Sequence, residues 1–456
     1  MTQEEIHSLV INQRKYFLSN NTKNIDFRIE TLKKIKERIK ENINPLFNAF
    51  KKDFNKCEFD VISTEISMVL TEIDYFIKNL KKLAKITKVR TNLINFPAKS
   101  YVIKEPYGVT LIISPWNYPF QLSMIPLIGS VAAGNTVILK PSAYSKNVSS
   151  IIYEIFQDFD KNHISVVLGS RSENNFLLNE RYDYIFFTGS PNVGKIVAQK
   201  AAINLTPATL ELGGKSPAII LDDADLEISV KRLVWGKFLN AGQTCVAPDY
   251  LLVSKNNKNK VIELIKSYIY KFYFVDGKIT NDFPSIINEK HFNRIMGLID
   301  KNKIICGGKT NNLIIEPTVV EADFSDAIMK EEIFGPVLPI IEYENIDEVL
   351  EILQEKEKPL ALYIFTKNKK SANKILNTIS SGGVSINDTI MHLSNPNLPF
   401  GGVGNSGMGQ YHGSYSFDTF SHSRSILVKG KHELNIKYPP YNEHKKSFLK
   451  KFTNIK

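Results

Sequence analysis

Apolar positions repeat with two different periods along the chain, and the change of period divides the sequence. Over residues 28–95 we predict helix, because apolar side chains recur every three or four positions on one helical face. The positions that carry this period are Ile66, Val69, Leu70, Ile73, Ile77 and Leu80. From about residue 107, short β-branched runs alternate with amphipathic stretches. This alternation predicts a parallel, doubly wound α/β sheet.

Two successive α/β stretches follow from this pattern. In the first, the predicted strands are 107–113, 136–140, 164–168 and 183–187, and the predicted helices are 124–133, 147–158 and 172–179. In the second, which begins near Glu211, the predicted strands include 217–221, 250–253, 337–341 and 362–365. Pro207 and the pair Gly213–Gly214 mark a boundary near 206–214, since both residue types interrupt regular structure.

Composition and charge exclude several classes of protein. The chain has 456 residues, of which 43 % are hydrophobic and 23 % charged, so it is a globular protein of two or three domains and not a disordered or fibrous one. The net charge of +11 is mild for this length and does not by itself indicate nucleic acid. No apolar run approaches the roughly 18 residues of a membrane span, and the first residues carry acids, so we predict a cytoplasmic protein without a secretory signal. Three dispersed cysteines and eight dispersed histidines predict neither a disulfide framework nor a metal site.

Two glycine-rich segments match nucleotide-binding motifs in part. Residues 402–407 fit G-x-G-x-x-G, but prolines precede them and no strand leads in, so the context predicts a glycine-rich loop. Residues 189–196 nearly fit the P-loop and follow a predicted strand. However, Ile196 stands where a hydroxyl would bind magnesium, and Pro191 removes a backbone donor. We favour a helix N-terminus that faces a pyrophosphate, and a plain strand-to-helix turn stays open.

Three segments carry residues suited to covalent catalysis. Cys245 lies among small residues in 240–250, as an approachable nucleophile would, although a buried structural thiol is the commoner fate of a free cysteine. Glu211 lies at a predicted strand end beside two glycines, where it is either a general base or a solvated charge. Asn117, in a proline-flanked loop after the first predicted strand, offers an amide donor for an oxyanion, or belongs to an ordinary turn.

Together these segments resemble one family. PWNYP, GNTVILKPS, FTGSPNVGK, LELGGKSP, GQTC, EEIFGP and LPFGGVGNSGMG occur in the order seen in the NAD(P)-dependent aldehyde dehydrogenases, and the resemblance runs from about residue 26 to residue 442. The longer forms GQTCVAPDY, INDTIMHL and GMGQYHGSYSFDTFSH are similar to the class 3 branch, which acts on fatty and aromatic aldehydes. The resemblance implies oxidation of an apolar aldehyde, a small-molecule substrate, to its carboxylic acid.

The resemblance implies a role for each catalytic candidate. The Cys245 thiolate would attack the aldehyde carbonyl, and the Asn117 side-chain amide and the Cys245 backbone N–H would hold the resulting oxyanion. Transfer of hydride to the nicotinamide would leave a thioester, which a water activated by Glu211 would hydrolyse. No metal takes part in this scheme.

The cofactor contacts are implied in the same way. Lys140 would hold the adenosine ribose, Glu332 would bind the nicotinamide ribose, and Phe334 would pack against the nicotinamide end. Further positions that would contact or approach NAD or NADP are Trp116, Ser142, Gly189, Ser190, Gly194 and Gly213. Asn387 would support the active-site loop. Where the family usually has K-P-S-E, this chain has Ala143, which neither binds the ribose hydroxyls nor repels a 2′-phosphate, so we expect NADP⁺ to be accepted.

The implied fold is that of the aldehyde dehydrogenases. A Rossmann-like cofactor domain would span 1–210, interrupted near 90–106 by a small bridging element, and an α/β catalytic domain would span 211–410. A bridging or oligomerisation segment would follow over 411–440, and the chain would form a homodimer.

The basic tail over 441–456 has an apolar face. Phe448, Leu449, Phe452 and Ile455 share one helical side, among the lysines Lys445, Lys446, Lys450, Lys451 and Lys456. A solvated tail and a helix that binds a membrane surface both fit this pattern. Flotation with anionic liposomes separates the two, since a solvated tail does not float.

Other functions are less consistent with these residues. Ile196 and the missing magnesium ligands argue against a nucleoside triphosphatase. The complete set of Cys245, Glu211 and Asn117 argues against a catalytically silent scaffold of the same fold. Retention of Glu211 favours hydrolysis over transfer of the acyl group to coenzyme A.

Overall fold

Helices and strands alternate along the chain in the computed structural model, which describes residues 1–432 and 435–455. The α-helices are α1 (Gln3–Leu18), α2 (Ile25–Glu41), α3 (Ile43–Phe54), α4 (Glu58–Val61), α5 (Ser67–Leu83), α6 (Gln121–Ala133), α7 (Lys146–Ile155), α8 (Arg171–Leu178), α9 (Pro191–Ile203), α10 (Leu226–Phe238), α11 (Lys258–Tyr273), α12 (Glu289–Leu298), α13 (Ile346–Glu355), α14 (Lys369–Thr378), α15 (Ser414–Thr419) and α16 (Glu443–Thr453). A π-helical turn, Ile62–Ile66, joins α4 to α5.

The strands are short. They are β1 (Thr87–Val89), β2 (Ala98–Pro106), β3 (Val109–Ile113), β4 (Thr136–Lys140), β5 (Ile164–Val166), β6 (Tyr184–Gly189), β7 (Ala208–Leu212), β8 (Pro217–Ile220), β9 (Tyr250–Ser254), β10 (Phe274–Val275), β11 (Lys278–Ile279), β12 (Ile304–Cys306), β13 (Thr310–Asn311), β14 (Ile314–Ile315), β15 (Thr318–Glu321), β16 (Val337–Tyr343), β17 (Ala361–Phe365), β18 (Gly383–Ile386), β19 (Gly407–Met408) and β20 (Ser421–Lys429).

The described residues form two compact units. The main unit contains residues 1–83 and 106–421, and the small unit contains residues 84–105, 422–432 and 435–455. None of the described helices combines the length and the hydropathy that crossing a membrane requires.

Two largely parallel sheets organise the main unit. The first has the strand order β19-β7-β6-β3-β4-β5, and the second has the order β12-β15-β16-β9-β8-β17-β18. Only the edge strands β19 and β12 are antiparallel to their neighbours. Strands β3, β4, β8 and β9 are buried throughout, as expected for strands covered by helices on both faces. The chain leaves the first sheet after Leu212 and enters the second at Pro217.

The sheets bring opposite strand ends to the candidate site. The first sheet contributes the segments that follow the carboxyl ends of β3, β6 and β7, which is where ligands of doubly wound folds bind. The second sheet contributes the segments that precede the amino ends of β8, β9 and β16. The candidate residues of the first sheet therefore follow strands, whereas those of the second precede them.

Several helices of the main unit begin at a side chain that caps them, among them α2 and α10. The Asn24 side chain accepts hydrogen bonds from the backbone at Asp26 and Phe27, and Asp225 does the same for α10 at Ile228. Helix α6 is buried along its whole length, because it lies under the first sheet against α2, α5 and α15. These contacts fix the loop before α6, which carries Asn117.

Most predicted elements are confirmed, and one is wrong. Strand β4 matches its prediction residue for residue, and other ends move by one to three positions. The prediction of helix through residue 95 is wrong beyond Leu83, because 87–89 form β1, with Thr87 opposite Val102 of β2. The apolar period ends at Leu80, and the β-branched Thr87 and Val89 favour a strand.

The small unit contains a three-stranded sheet of order β1-β2-β20 and the tail helix α16. Phe448, Leu449 and Phe452 of α16 are exposed, with the two phenylalanine rings stacked at 6.3 Å. Membrane-surface binding by this helix, the homodimer and the predicted domain bounds stay predictions. Within the segments predicted over 411–440 and 441–456, Glu433, Leu434 and Lys456 lie outside the described residues.

Candidate active site

Two cavities of the main unit meet at the predicted nucleophile. One has a volume of about 560 Å³ and the other about 740 Å³, both within the usual range for small-molecule sites. The residues that line both are Leu122, Thr188, Glu211, Leu212 and Cys245. The structure therefore places two of the three catalytic candidates in a shared wall.

The Cys245 loop has an unusual backbone. Asn240 and Ala241 have φ values of 52°, and Gly242 has 71°, so three successive residues after α10 are left-handed. A Cβ at Gly242 would lie 2.2 Å from the Gly335 carbonyl oxygen, and only glycine fits there. The Gln243 side chain ties the loop down, because its Nε2 donates to Asn240 O and Ser285 O and its Oε1 accepts from Ile287 N. These contacts hold one half-buried thiol in place.

Asn117 reaches this loop from the first sheet. Its Nδ2 donates to Gln243 O at 3.0 Å, and its backbone carbonyl oxygen accepts from Asn240 Nδ2 at 3.0 Å. An amide nitrogen carries two hydrogens, so the second is left for another acceptor. Nearby, the Tyr118 hydroxyl bonds the Thr244 hydroxyl at 2.7 Å, beside Cys245. The structure joins all three catalytic candidates in one site.

Glu211 is buried without a hydrogen-bond partner. Its side chain lies near the end of β7, and neither carboxylate oxygen is bonded within the described residues. Burial raises its pKa well above the ordinary value for a glutamic acid. A buried carboxyl with two free acceptors beside a cavity is a position where a water molecule can bind.

Charge and burial keep the Cys245 thiol protonated in the protein without cofactor. Burial raises its pKa to about 12, and the carboxylates of Glu332 and Glu211 add to the shift. Since a thiolate is the nucleophile, a positive charge brought beside the sulfur would lower this pKa and make the sulfur more reactive.

The larger cavity has the features of a dinucleotide site. Trp116, Gly189, Ser190, Gly213, Glu332 and Phe334 line it, all of them predicted cofactor contacts. Ser190 precedes α9, whose N-terminus opens at the cavity after β6, as the strand–turn–helix interpretation of 189–196 predicted. A Cβ at Gly213 would lie 1.9 Å from Glu332 Oε2, so the glycine leaves a cradle that a side chain would fill. These features fit a nicotinamide dinucleotide.

Three other predicted contacts lie outside the lining of that cavity. Lys140, buried at the end of β4, donates from Nζ to Pro141 O at 2.8 Å and Gly169 O at 2.9 Å, and burial lowers its pKa to about 8. Ser142 Oγ accepts from the Tyr144 backbone. Gly194 packs α9 against Leu212, since a Cβ there would be 2.6 Å from that side chain. Their contribution to binding stays a prediction.

Glu332 and Phe334 lie on a loop before β16. Burial, followed by the neighbouring Asp249, raises the pKa of Glu332 to about 8, while the Gly214 N–H, Lys215 and Arg294 act against that shift. Phe334 has a φ of 49° and meets the Trp116 ring edge-on at 5.3 Å. Two aromatic rings and a carboxylate thus line the cavity, and the charge of that carboxylate is felt at Cys245.

Some predicted features act at a distance. The Asn387 side chain bonds both backbone groups of Thr366, at 2.8 and 2.9 Å, and its carbonyl accepts from Arg232 of α10. Asn387 therefore supports the helix that leads to Cys245. Residues 402–406 form a loop that leads into β19 at Gly407, and no strand precedes it, as the context of 402–407 predicted. Within the described part of the chain, no group of three metal-ligating side chains occurs.

The sequence argument missed the charged side chains around Ile328–Phe334, the loop that carries Glu332. Lys215 and Asp249 stand inside LELGGKSP and GQTCVAPDY, so the motifs contained the signal. Arg294 carried no such signal, because it lies in α12, far from any quoted motif.

Fold and site together define a nicotinamide-dependent oxidoreductase that acts on aldehydes. Residues 1–426 match the model of the aldehyde dehydrogenase family, and the chain belongs to that family. The sequence resemblance and the expected fold are thereby confirmed.

Named relatives extend over nearly the whole chain. The 4,4′-diaponeurosporen-aldehyde dehydrogenase of Staphylococcus aureus is 45 % identical, over 96 % of this chain and 97 % of the relative. The dimeric NADP-preferring aldehyde dehydrogenase of Rattus norvegicus is 44 % identical, over 95 % and 98 %. The solved structure of the substrate-bound state of Staphylococcus aureus AldH superposes with a TM-score of 0.96 at 44 % identity, covering 98 % of this chain and 99 % of that one.

Proposed function

We propose that this aldehyde dehydrogenase oxidises apolar aldehydes through a covalent intermediate on Cys245, with Glu211 as general base and Asn117 as oxyanion donor. The observation that carries the proposal is the position of Cys245 and Glu211 in the wall shared by two cavities. An aldehyde can reach the sulfur from one cavity while a dinucleotide occupies the other.

In the first half of the reaction Cys245 passes its thiol proton to water, and the resulting thiolate bonds the carbonyl carbon. The carbonyl oxygen becomes an oxyanion, which accepts the Asn117 amide hydrogen that Gln243 leaves free and the Cys245 backbone N–H. When bound, the nicotinamide group supplies the hydride acceptor. Collapse of the oxyanion expels the hydride and leaves an acyl group on Cys245 as a thioester.

In the second half a water molecule releases the acid. Glu211 has two unpaired carboxylate oxygens at the shared wall, so it can bind a water and take its proton. The hydroxide attacks the thioester carbon, the C–S bond breaks with its electron pair on sulfur, and the thiolate takes the proton back from Glu211, which restores both groups. Because burial raises the pKa of Glu211, the base is ionised only toward higher pH, and hydrolysis should quicken as pH rises.

The smaller cavity supports an apolar substrate. Its wall includes the aliphatic and aromatic side chains of Leu122, Ile125, Trp235, Leu239, Val246, Ile390, Met391, Leu393 and Phe400. The Staphylococcus aureus relative is named for 4,4′-diaponeurosporen-aldehyde. Burial of each methylene is worth about 0.8 kcal/mol, or about fourfold in binding.

We therefore expect kcat/KM to rise with aldehyde chain length. NAD(P)H formation at 340 nm should be measured with aldehydes from acetaldehyde to hexadecanal and with benzaldehyde. Filling the cavity with five or more additional methylenes should raise kcat/KM by at least about 100-fold over acetaldehyde. A flat or falling series would contradict the apolar assignment while leaving aldehyde oxidation itself intact.

The structure also supports the use of NADP⁺. Ala143 is exposed just beyond Lys140 and Ser142, so no carboxylate stands there to repel a 2′-phosphate. The rat relative is named as NADP-preferring. We propose that NADP⁺ is accepted alongside NAD⁺.

Introducing the missing acid tests this proposal. Ala143→Glu should lower kcat/KM with NADP⁺ by at least about tenfold, because like charges repel, and should change the NAD⁺ value little. The matched variant Ala143→Gln has the same length without the charge and should keep NADP⁺ activity. A wild-type preference for NAD⁺ above about a hundredfold, or 2.7 kcal/mol, would contradict the proposal.

A further inference from the structure

The loop Ile328–Phe334, called here the Glu332 loop, is held by three charged side chains from distant parts of the chain. It has no regular secondary structure between Lys330 and Phe334, yet it carries two predicted cofactor contacts into the larger cavity. Backbone groups of an irregular segment need partners when they are buried. Side chains supply those partners here.

Lys215 and Asp249 hold the loop from the second sheet. Lys215 Nζ donates to Ile328 O at 3.0 Å and to Glu331 O at 2.8 Å, and it pairs with Asp249 Oδ2. The other oxygen of Asp249, Oδ1, accepts from the Ile333 backbone at 3.0 Å. Asp249 is buried, so its carboxylate has little competition from water.

Arg294 holds the same loop from α12. Its Nη1 donates to Glu332 O at 3.2 Å and to the Glu331 carboxylate at 2.8 Å, and its Nη2 donates to Ile333 O at 2.6 Å. Bonds from two sides therefore bracket Glu332 itself, at the residues immediately before and after it. The planar guanidinium fixes direction as well as distance.

These anchors lie next to the reacting groups without joining the chemistry. The Asp249 backbone N–H donates to Ser216 O at 2.7 Å, and Asp249 lies four residues after Cys245 in the chain. The Cys245 loop itself depends on other partners, chiefly Gln243. The two loops thus have separate anchors, and they can be disturbed separately.

We propose that Asp249, acting with Lys215 and Arg294, is a positioning residue that sets Glu332 and Phe334 against the nicotinamide end of the cofactor. This inference rests on the proposed function, in which those two residues meet the cofactor. Asp249 serves cofactor binding and hydride transfer, and its influence on the thiol is limited to the neighbouring charge of Glu332.

The thiol can be tested without a cofactor. With p-nitrophenyl acetate, Cys245 attacks the ester carbon, nitrophenolate leaves with the bonding electrons, and water then hydrolyses the acetyl thioester. The rate of nitrophenolate release at 400 nm thus reports the thiol, its oxyanion donors and Glu211 without the cofactor. Cofactor affinity is measured separately, from quenching of protein fluorescence by NAD(P)H.

Asp249→Ala should separate the two readouts. We expect kcat/KM for aldehyde oxidation to fall by about 10²-fold and the Kd for NAD(P)H to rise by about tenfold, because a loop displaced by an ångström loses its alignment. Ester hydrolysis should stay within about threefold of wild type. Equal losses in both activities, or no loss in either, would overturn the proposal.

Two further variants keep the result interpretable. Arg294→Met removes the second anchor from a more exposed side chain and should show the same split if Asp249→Ala does not fold. Asp183→Ala is the control, because Asp183 also pairs with a cation, Arg14, and accepts from a backbone N–H, that of Val109, but lies at the amino ends of β3 and β6 and lines neither cavity. A split of the same size in Asp183→Ala would also overturn the proposal.

Failure of the proposed function is distinguishable from failure of this inference. A wild-type protein that oxidises no aldehyde in the series contradicts the proposed function. The positioning role is then still decided by the NAD(P)H affinity and the ester hydrolysis rates of the same variants.

Discussion

Replacing Cys245 with alanine should abolish aldehyde oxidation. We expect kcat/KM to fall by about 10⁴-fold or more, because loss of a nucleophile that acts as a unit with its base and oxyanion donor removes the covalent route altogether. The measurement is NAD(P)H formation at 340 nm, with the best aldehyde of the chain-length series and saturating cofactor.

The other two cysteines provide matched controls. Cys57 and Cys306 are also free and partly buried, and neither lines a cavity. Cys57→Ala and Cys306→Ala should keep activity within about threefold, as expected of substitutions away from the site. Activity in Cys245→Ala above about one per cent of wild type would contradict the thiol mechanism.

Replacing Glu211 with glutamine should stop the reaction halfway. Formation of the thioester needs no water, whereas its hydrolysis needs a base, so we expect a rapid burst of one NAD(P)H per active site. Steady turnover should then be slower by about 10²–10⁴-fold. Stopped-flow absorbance at 340 nm resolves the two phases.

Two further measurements show whether the slow turnover of Glu211→Gln results from loss of the general base. Hydroxylamine attacks a thioester without a general base, so it should restore part of the steady rate in Glu211→Gln. The wild-type kcat should rise with pH as the Glu211 carboxyl ionises, and the variant should lose that rise. A variant that shows neither a burst nor rescue would place Glu211 in the first half of the reaction instead.

The sequence predicted the part of the fold whose elements have a clear period. The strand at Thr136–Lys140 is a β-branched run between a helix and a turn, and no other pattern in these residues predicts a different element. The stretch beyond Leu83 has no apolar period, so extending the helix to residue 95 ignored the pairing of Thr87 with a strand that follows it. Long-range pairing of this kind leaves little trace in a short window of sequence.

The residues of the candidate site likewise divide into those that the sequence predicted and those that it did not. Cys245, Glu211 and Asn117 were found because their motifs are recognisable, and the structure joins them. The anchors of the Glu332 loop were not found, because they act through backbone carbonyls and amides that any residue provides. A side chain that binds backbone needs a particular place in space, and sequence spacing does not reveal it.

Because two cavities share the wall that carries Cys245 and Glu211, the proposed function gives cofactor and aldehyde separate routes to the sulfur. Cofactor would exchange through the larger cavity, beside the Glu332 loop, and aldehyde through the smaller one, beside α5 and the residues around Met391. A compound that fills the smaller cavity leaves the larger cavity open to the dinucleotide. Adding cofactor therefore does not relieve the inhibition that such a compound causes. Inhibitors of the two cavities should accordingly act additively. A molecule that occupies both cavities across the sulfur would exclude aldehyde and cofactor at once.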